Sequence, residues 1–225
     1  MELADYSVLK KVIFEDVYEP AEDTFILVDA LEKNLSLIQQ LKYGFLGLED
    51  TFILVDALEK NLSLIQQLKP AICLEIGSGS GVVISTLGKV LQNPYYLCTD
   101  INPIAASATQ TTSKSNGLQV DIIITNLVDG LERLQNSVDL LIFNPPYAVT
   151  PSEEVGASNT FKATSGGFKG REVMDRIFPL VPKLLSKQGL FYLTCIQQND
   201  IDEIALIMKS FSLDMTKRHI KELLG

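Results

Sequence analysis

The sequence predicts an α/β fold, a Rossmann-like sheet of parallel strands with helices on both faces. Three observations predict it. From residue 71 onward, short runs rich in Val, Ile and Leu alternate with longer helical runs, as in strand–helix–strand units. The strand-like run 71–76 passes through Gly77-Ser78-Gly79-Ser80-Gly81 into a helical stretch, 82–91, in the manner of a nucleotide-type loop. The strand-like run 138–143 stops at Asn144-Pro145-Pro146-Tyr147, because proline lacks an N–H and disfavours helix in the residue before it.

A chain of 225 residues with 46% hydrophobic content suits a single domain, 1–225, with a sizeable core. The net charge of −9 opposes a protein that grips a polyanion, since phosphate affinity comes mainly from Lys and Arg displacing counterions. No apolar run approaches bilayer length, and residues 1–11 carry acidic and polar side chains where a signal peptide needs an apolar core. A soluble intracellular protein is expected, cytoplasmic or shared between cytoplasm and nucleus. Cys73, Cys98 and Cys195 are widely spaced in strand-like runs, which points to buried reduced thiols and no metal site. His219 is the one histidine, so imidazole acid–base chemistry has almost nothing to work with.

The first element is an anomaly. Residues 22–42 recur without a change at 49–69. Structural repeats keep core positions and let surface positions drift, whereas here Glu32, Lys33, Asn34, Gln39 and Gln40 all recur. A recent tandem duplication, or an error in the gene model, explains exact identity better than a selected architecture. Each copy reads as an amphipathic helix, with Val28, Leu31, Leu35 and Ile38 on one face of the first and Val55, Leu58, Leu62 and Ile65 on that of the second. Only one copy can fill a single helical slot. The first copy, preceded by Tyr18-Glu19-Pro20-Ala21, is slightly favoured, while closeness to strand 71–76 favours the second.

After the strand 71–76, the glycines of the turn allow a close backbone approach to a ligand, and the helix that follows offers free N–H groups. Glu75, just ahead of the turn, repels pyrophosphate and attracts an ammonium or sulfonium group, so S-adenosylmethionine fits better than NAD or ATP. The strand 95–99 ends in Asp100, placed to accept from both hydroxyls of a ribose or to cap the helix that begins near Pro103. Helix 104–115 and strand 120–125 lead to Asn126-Leu127, where an adenine edge would lie, or where Asn126 simply serves a turn. Strand 138–143 then delivers the proline corner, and strand 190–196 closes the series.

The corner has its own chemistry. The side-chain oxygen of Asn144 and the carbonyl of Pro145 can both accept from one planar NH2 group, while Tyr147 offers a ring face for its plane. An NH2 held by its hydrogens turns its lone pair toward whatever lies opposite. An ordinary Pro-Pro turn is the competing reading of the tetrapeptide alone.

Tyr18-Glu19-Pro20-Ala21-Glu22-Asp23-Thr24, Leu74-Glu75-Ile76-Gly77-Ser78-Gly79-Ser80-Gly81, Thr99-Asp100-Ile101-Asn102-Pro103, Phe143-Asn144-Pro145-Pro146-Tyr147, Glu154-Val155-Gly156 and Gly170-Arg171-Glu172-Val173-Met174-Asp175-Arg176 stand in that order. Together they resemble the eukaryotic and archaeal branch of the HemK-like methyltransferases, over about residues 17–209. That family methylates the glutamine of the Gly-Gly-Gln motif in class I peptide-chain release factors. The resemblance implies a seven-stranded class I methyltransferase sheet, S-adenosylmethionine as methyl donor, and a heterodimer with a small zinc-binding activator subunit that covers an apolar face. It also implies Tyr18, Thr24, Glu75, Gly77, Gly79, Asp100, Asn126, Leu127 and Asn144 as cofactor-binding residues, and Asn144, Pro145 and Tyr147 as catalytic ones.

Three departures from the family stand out. Asn126 replaces the usual Asp, Thr24 and Thr51 compete for one threonine site, and the sequence stops at Gly225 where a last strand is usual, leaving strand 190–196 with an open edge. Residues 150–154 and the Gly-rich segment 165–170 read as a lid or substrate groove, or as a plain surface loop. An adenine amino group in nucleic acid could occupy the same corner, but such an enzyme needs a basic track, and Lys162, Lys169 and Arg171 are the only cluster near the pocket. A catalytically impaired isoform is the remaining alternative. If the second copy takes the helical slot, Tyr18 and Thr24 are displaced and cofactor affinity falls.

Overall fold

A computed structural model describes residues 2–9, 48–156 and 163–215. Tyr18, Thr24, Lys162 and the first repeat copy lie outside these described residues. So do the side chains of residues 48–53.

The elements follow the predicted alternation. Helices α1 (Leu48–Lys60) and α2 (Leu62–Leu68) precede strand β1 (Ile72–Ile76), helix α3 (Val82–Val90), strand β2 (Tyr95–Asp100), helix α4 (Pro103–Ser115) and strand β3 (Asp121–Ile124). Strand β4 (Val138–Phe143), short helices α5 (Met174–Ile177) and α6 (Val181–Leu184), strand β5 (Leu185–Leu193) and helix α7 (Ile201–Ser210) complete them. The five described strands form one sheet in the order β3-β2-β1-β4-β5, every pair parallel. The described residues contribute five strands, where the resemblance implies seven.

Because side chains alternate along a strand, each strand feeds two cores. Leu74, Ile76, Leu141 and Phe143 face α5, α6 and α7 through Met174, Ile177, Val181, Leu184, Ile204 and Met208. Cys73, Cys98, Leu140 and Ile142 face α1, α2 and α3 through Leu54, Val55, Leu58, Ile65, Ile84 and Leu87. The predicted helices on both faces are therefore present, and the second repeat copy is packed on the sheet, the first lying outside the described residues. Val55, Leu58 and Ile65 are buried as the periodicity requires, with Leu62 half-buried. Lys69, in a left-handed conformation, ends α2 and turns the chain through Pro70 into β1 within a few residues. That short tether is the physical reason for the second copy's place.

Two differences from the predicted boundaries have clear causes. Strand β5 begins earlier than residue 190, because Leu185 already pairs with Val138; the ladder then slips and resumes at Leu140 with Leu190. It ends at Leu193, where Ile196 N–H turns aside to donate to Asn199 Oδ1 at 2.8 Å. At the opposite end of the sheet, Asp139 accepts from Ala71 N, Ile72 N and Ser186 Oγ at 2.8, 3.2 and 2.6 Å, fastening the start of β1 to β4 and β5. Cys73 and Cys98 are buried free thiols and Cys195 is half-buried. Burial pushes the Cys73 thiol up to about 12, with Asp139 adding to the effect, so it is unreactive as a thiolate.

Leu58 is fully buried between the repeat helix and the sheet. Leu58→Ala is expected to lower unfolding stability by about 2–5 kcal/mol, read by urea denaturation.

Candidate active site

In an open parallel sheet, ligands bind beyond the carboxyl ends of the strands where strand order reverses. Here the reversal falls between β1 and β4. Ile76 is in register with both Phe143 and Thr99, so the glycine turn and the Asn-Pro-Pro-Tyr corner leave the sheet side by side.

The glycine turn is held from beneath. Gly77 N and Ser78 N both donate to Thr99 O, at 2.8 and 3.2 Å. Ser78 Oγ meets Thr109 Oγ1 at 2.8 Å, and Thr109 Oγ1 donates to Gly79 O at 3.0 Å, so helix α4 fixes the turn. Gly81 has φ +76 and starts α3; a Cβ there would stand 2.7 Å from the Thr109 Cα, so only glycine lets these helices meet. Gly79 differs, for a Cβ there would meet nothing within 4 Å. Its side faces open space, as a ligand cradle requires, and its positive φ of +55 keeps the residue small.

Glu75 and Asp100 lie under and beside this turn. Glu75 is only 2% exposed, and its Oε2 accepts from Ile84 N in the first turn of α3 at 3.1 Å. Burial pushes its carboxyl up to about 8; the Ile84 N–H works against this, while the nearby Asp100 charge adds to it. The predicted cation-attracting group is thus a buried carboxyl, mostly protonated at neutral pH in the free protein. Asp100 Oδ2 accepts from Gly79 N at 2.9 Å and Oδ1 from Asn102 N at 2.8 Å. Desolvation raises its pKa against these N–H bonds. The helix cap is Asn102, whose Oδ1 accepts from Ile104 N at 3.0 Å ahead of Pro103, so the cap weighed for Asp100 is not its role. Its carboxylate is an acceptor group of the kind a ribose hydroxyl needs.

After β3, Thr125 N donates to Asp100 O at 2.9 Å and Asp129 N to Asn126 O at 3.1 Å, which places Asn126 and Leu127 in a turn next to Asp100. Leu127 sits at φ +52, a left-handed conformation that branched or bulky residues rarely adopt, and its side chain packs on the core. Both are half-buried.

The corner after β4 carries the sharpest signal. Asn144 Oδ1 is buried and has no hydrogen-bond partner, and leaving a buried acceptor unpaired costs about 1–3 kcal/mol. Pro145 is buried beside it. Tyr147 is 6% exposed and its ring belongs to the core cluster with Met174 and Ile177, so the ring supports the corner from below. Its carbonyl accepts from Asn199 Nδ2 at 2.8 Å.

Segment 165–170 is clamped. Gly166 N donates to Ala148 O at 2.8 Å, Thr150 N to Gly167 O at 3.2 Å, and Phe168 N to Glu172 Oε1 at 2.8 Å. Lys169 Nζ pairs with Asp200 and Glu203 at 3.0 and 2.7 Å, and Arg171 with Asp175 and Glu203 at 3.1 and 2.7 Å. Of the basic cluster noted in the sequence, Lys169 and Arg171 are consumed by carboxylates. Asn199 was not singled out from sequence, where it sits in a polar run, Gln197-Gln198-Asn199-Asp200, with no local signal. Among the described residues, no group of three metal-ligating side chains is placed to hold an ion.

Raised carboxyl pKa values give a testable sign. Glu75 binds its proton more tightly in the folded than in the unfolded chain, so its ionisation costs stability progressively from about pH 4.5 to about pH 8. Glu75→Gln, whose oxygen can still accept from Ile84 N, is expected to raise the thermal midpoint of the cofactor-free protein, by an amount that grows between pH 5 and pH 8 and then levels off. Melting curves of the two proteins across that range check it.

Comparison with known proteins agrees with this geometry. Residues 50–168 match the family described as methyltransferase small domain. The chain is 47% identical over 205 residues to "Methyltransferase HEMK2" of Homo sapiens, covering 90% of this chain and 82% of that one. It is 33% identical over 209 residues to the "eRF1 methyltransferase catalytic subunit mtq2" of Schizosaccharomyces pombe, covering 87% and 79%. A ribosomal protein L11 methylase from Lactobacillus delbrueckii subsp. bulgaricus shares the fold with a TM-score of 0.55 at 17% identity, over 80% of this chain and 76% of that one. Glycine turn, acidic strand ends and proline corner at the switch point of such a sheet agree with the near half-identity to HEMK2, and the chain belongs to the HemK-like methyltransferase family.

Proposed function

We propose that this protein transfers a methyl group from S-adenosylmethionine to the side-chain amide nitrogen of the glutamine in the Gly-Gly-Gln motif of a class I release factor. The carrying observation is the buried, unpartnered Asn144 Oδ1 at the end of β4, an acceptor waiting for an N–H donor. The name of the fission-yeast relative, a catalytic subunit acting on eRF1, supports the substrate.

The residues present fit the donor. Asp100 would hold the ribose, Asn126 and Leu127 would border the adenine, and Gly77 and Gly79 leave the backbone open to it, with Glu75 beneath. When bound, S-adenosylmethionine supplies an electrophilic methyl on a sulfonium; the N–C bond forms as the S–C bond breaks. An amide nitrogen is a poor nucleophile because its lone pair is delocalised into the carbonyl. Asn144 Oδ1 and the Pro145 carbonyl accept both hydrogens of the NH2 and thereby localise that pair, so the rate comes from positioning and electrostatics. No base acts before transfer; the neutral thioether leaves with the S–C electron pair, and the surplus proton of the methylated nitrogen passes to water. The scarcity of histidine is consistent with this.

The small zinc-binding activator subunit belongs to the same proposal. Strand β3 is an edge of the described sheet, and Ile101, Ile104, Ile123 and Ile124 are exposed near it, Ile124 at 58%. An open strand edge with apolar neighbours is a surface that a partner would cover. A cytoplasmic site of action, or one shared with the nucleus, is part of the same proposal. Nucleic acid is disfavoured because Lys169 and Arg171 are already paired.

Asn144→Ala is expected to reduce methyl transfer to the release factor at least about 100-fold, measured with labelled S-adenosylmethionine and the co-expressed activator. Label on the Gln-to-Ala release factor, or on a DNA duplex, would contradict the proposal.

One observation favours a second reading, a chain with weakened cofactor binding: the second repeat copy packs on α3, so the Tyr18–Thr24 lead-in is separated from the docked helix by the first copy. Deleting residues 43–69 joins the first copy directly to Pro70 and is expected to tighten S-adenosylmethionine binding in calorimetry. An unchanged affinity would dismiss this reading.

A further inference from the structure

The walls of the site are built from two hydrogen-bond sets. The cofactor side runs through Thr99, Gly79, Asp100 and Thr109. The substrate side runs through Tyr147, Asn199, Lys169, Arg171 and Glu203. The bonds named for one set share no atom with those named for the other.

Resting on the proposed reaction, we infer that Asn199 is a positioning residue for methyl transfer: its side chain ties the Tyr147 carbonyl to the Lys169 carbonyl and so fixes the corner that receives the substrate amide. Asn199 is completely buried, on a short 3-10 turn (Gln197–Asn199) between β5 and α7. Its amide is used in full. Nδ2 donates to Tyr147 O at 2.8 Å and to Lys169 O at 2.9 Å, while Oδ1 accepts from Ile196 N at 2.8 Å.

Three segments far apart in sequence therefore meet on one side chain, the corner after β4, the clamped loop before α5, and the turn after β5. Only an amide does this, since two donors and one acceptor are needed at once. Leucine has neither, and aspartate would set a carboxylate against two carbonyl oxygens.

The surroundings are built to the same tolerance. A Cβ on Gly170 would lie 2.0 Å from Tyr147 O and 2.4 Å from Asn199 Nδ2, so loop and corner touch at van der Waals limits. Gly170 also holds φ +65, and the neighbouring Lys169 holds φ +54 with its ammonium between Asp200 and Glu203. Arg171 Nη1 donates to Asn199 O at 3.3 Å and to Glu203 at 2.7 Å, fixing the backbone of the turn that carries Asn199.

The corner therefore takes its position from the segment that follows β5, as well as from β4. A shift of about 1 Å at a reacting centre costs on the order of 100-fold in rate. The glycine turn and Asp100 are held by other bonds.

The test compares wild-type chain, Asn199→Ala and Gly170→Ala, each co-expressed with the activator, on the Gly-Gly-Gln release factor. Steady-state methylation is measured together with S-adenosylmethionine affinity by calorimetry. For each variant kcat is expected to fall by about 10- to 100-fold, while cofactor affinity stays within about threefold of wild type. The double variant is expected to lose less than the product of the single losses, because both act on Tyr147 O.

Unchanged kcat in Asn199→Ala overturns the inference, as does a loss matched by an equal loss of cofactor affinity. Should Asn199→Ala or Gly170→Ala fail to fold, Asn199→Ser, whose hydroxyl keeps one donor in the same space, decides by the same two readouts. Absence of label with the wild-type chain would count against the proposed reaction itself, a result distinguishable from failure of the variants alone.

Discussion

The register of β1 against β4 is the constraint on which the site depends. Pairing Ile76 with Phe143 brings two chain exits to one level at the point where strand order reverses. One exit is a glycine turn with open space beside Gly79; the other is a proline corner with an unused acceptor. A slip of one residue would turn Glu75 and Phe143 to the wrong faces and bury a carboxyl in the apolar core that faces α5 to α7. Asp139 opposes such a slip from the far end by binding the first N–H groups before and within β1.

Around that register, polar groups are concentrated where the sheet ends and nearly absent from its middle. Glu75 tolerates complete burial because it can hold a proton and because the N-terminal turn of α3 donates to it. Asp100 tolerates near-burial because two backbone N–H groups meet its oxygens. Asn144 Oδ1, like Thr99 Oγ1 and Thr112 Oγ1, has no such compensation, and of the three it is the one at the corner after β4. A fold with marginal stability keeps a buried unpaired acceptor at a cost, and function is the natural reason to retain it.

Much of this was legible in the sequence, for reasons that can be named. Short, near-continuous apolar runs marked the strands, because burial on both sheet faces demands them, and Pro145 and Pro146 set the end of β4 to the residue. Gly77, Gly79, Asp100, Asn126 and Asn144 fall where the topology gathers them at one sheet edge. What sequence could not show is long-range and directional. That Glu75 points back to Ile84, that Tyr147 packs downward into the core, and that Asn199 joins three segments are facts of chain geometry. Arg171 and Lys169 read as a basic cluster because their partners, Asp200 and Glu203, stand some thirty residues on by the chain's own numbering.

The exact repeat has a consequence for how the chain reaches this structure. Side-chain complementarity cannot distinguish identical helices, so the groove formed by Val83, Ile84 and Leu87 offers equal contact energy to either. Connectivity alone breaks the tie, and loop-closure entropy does so gently, at about 0.6 kcal/mol for each doubling of tether length. The earlier copy also leaves the ribosome first and can occupy the groove only after β1 and α3 exist, by which time its rival is tethered nearer. The packed arrangement is thus selected by a kinetic and entropic contest between equals, a degeneracy that ordinary proteins remove by letting their sequences diverge.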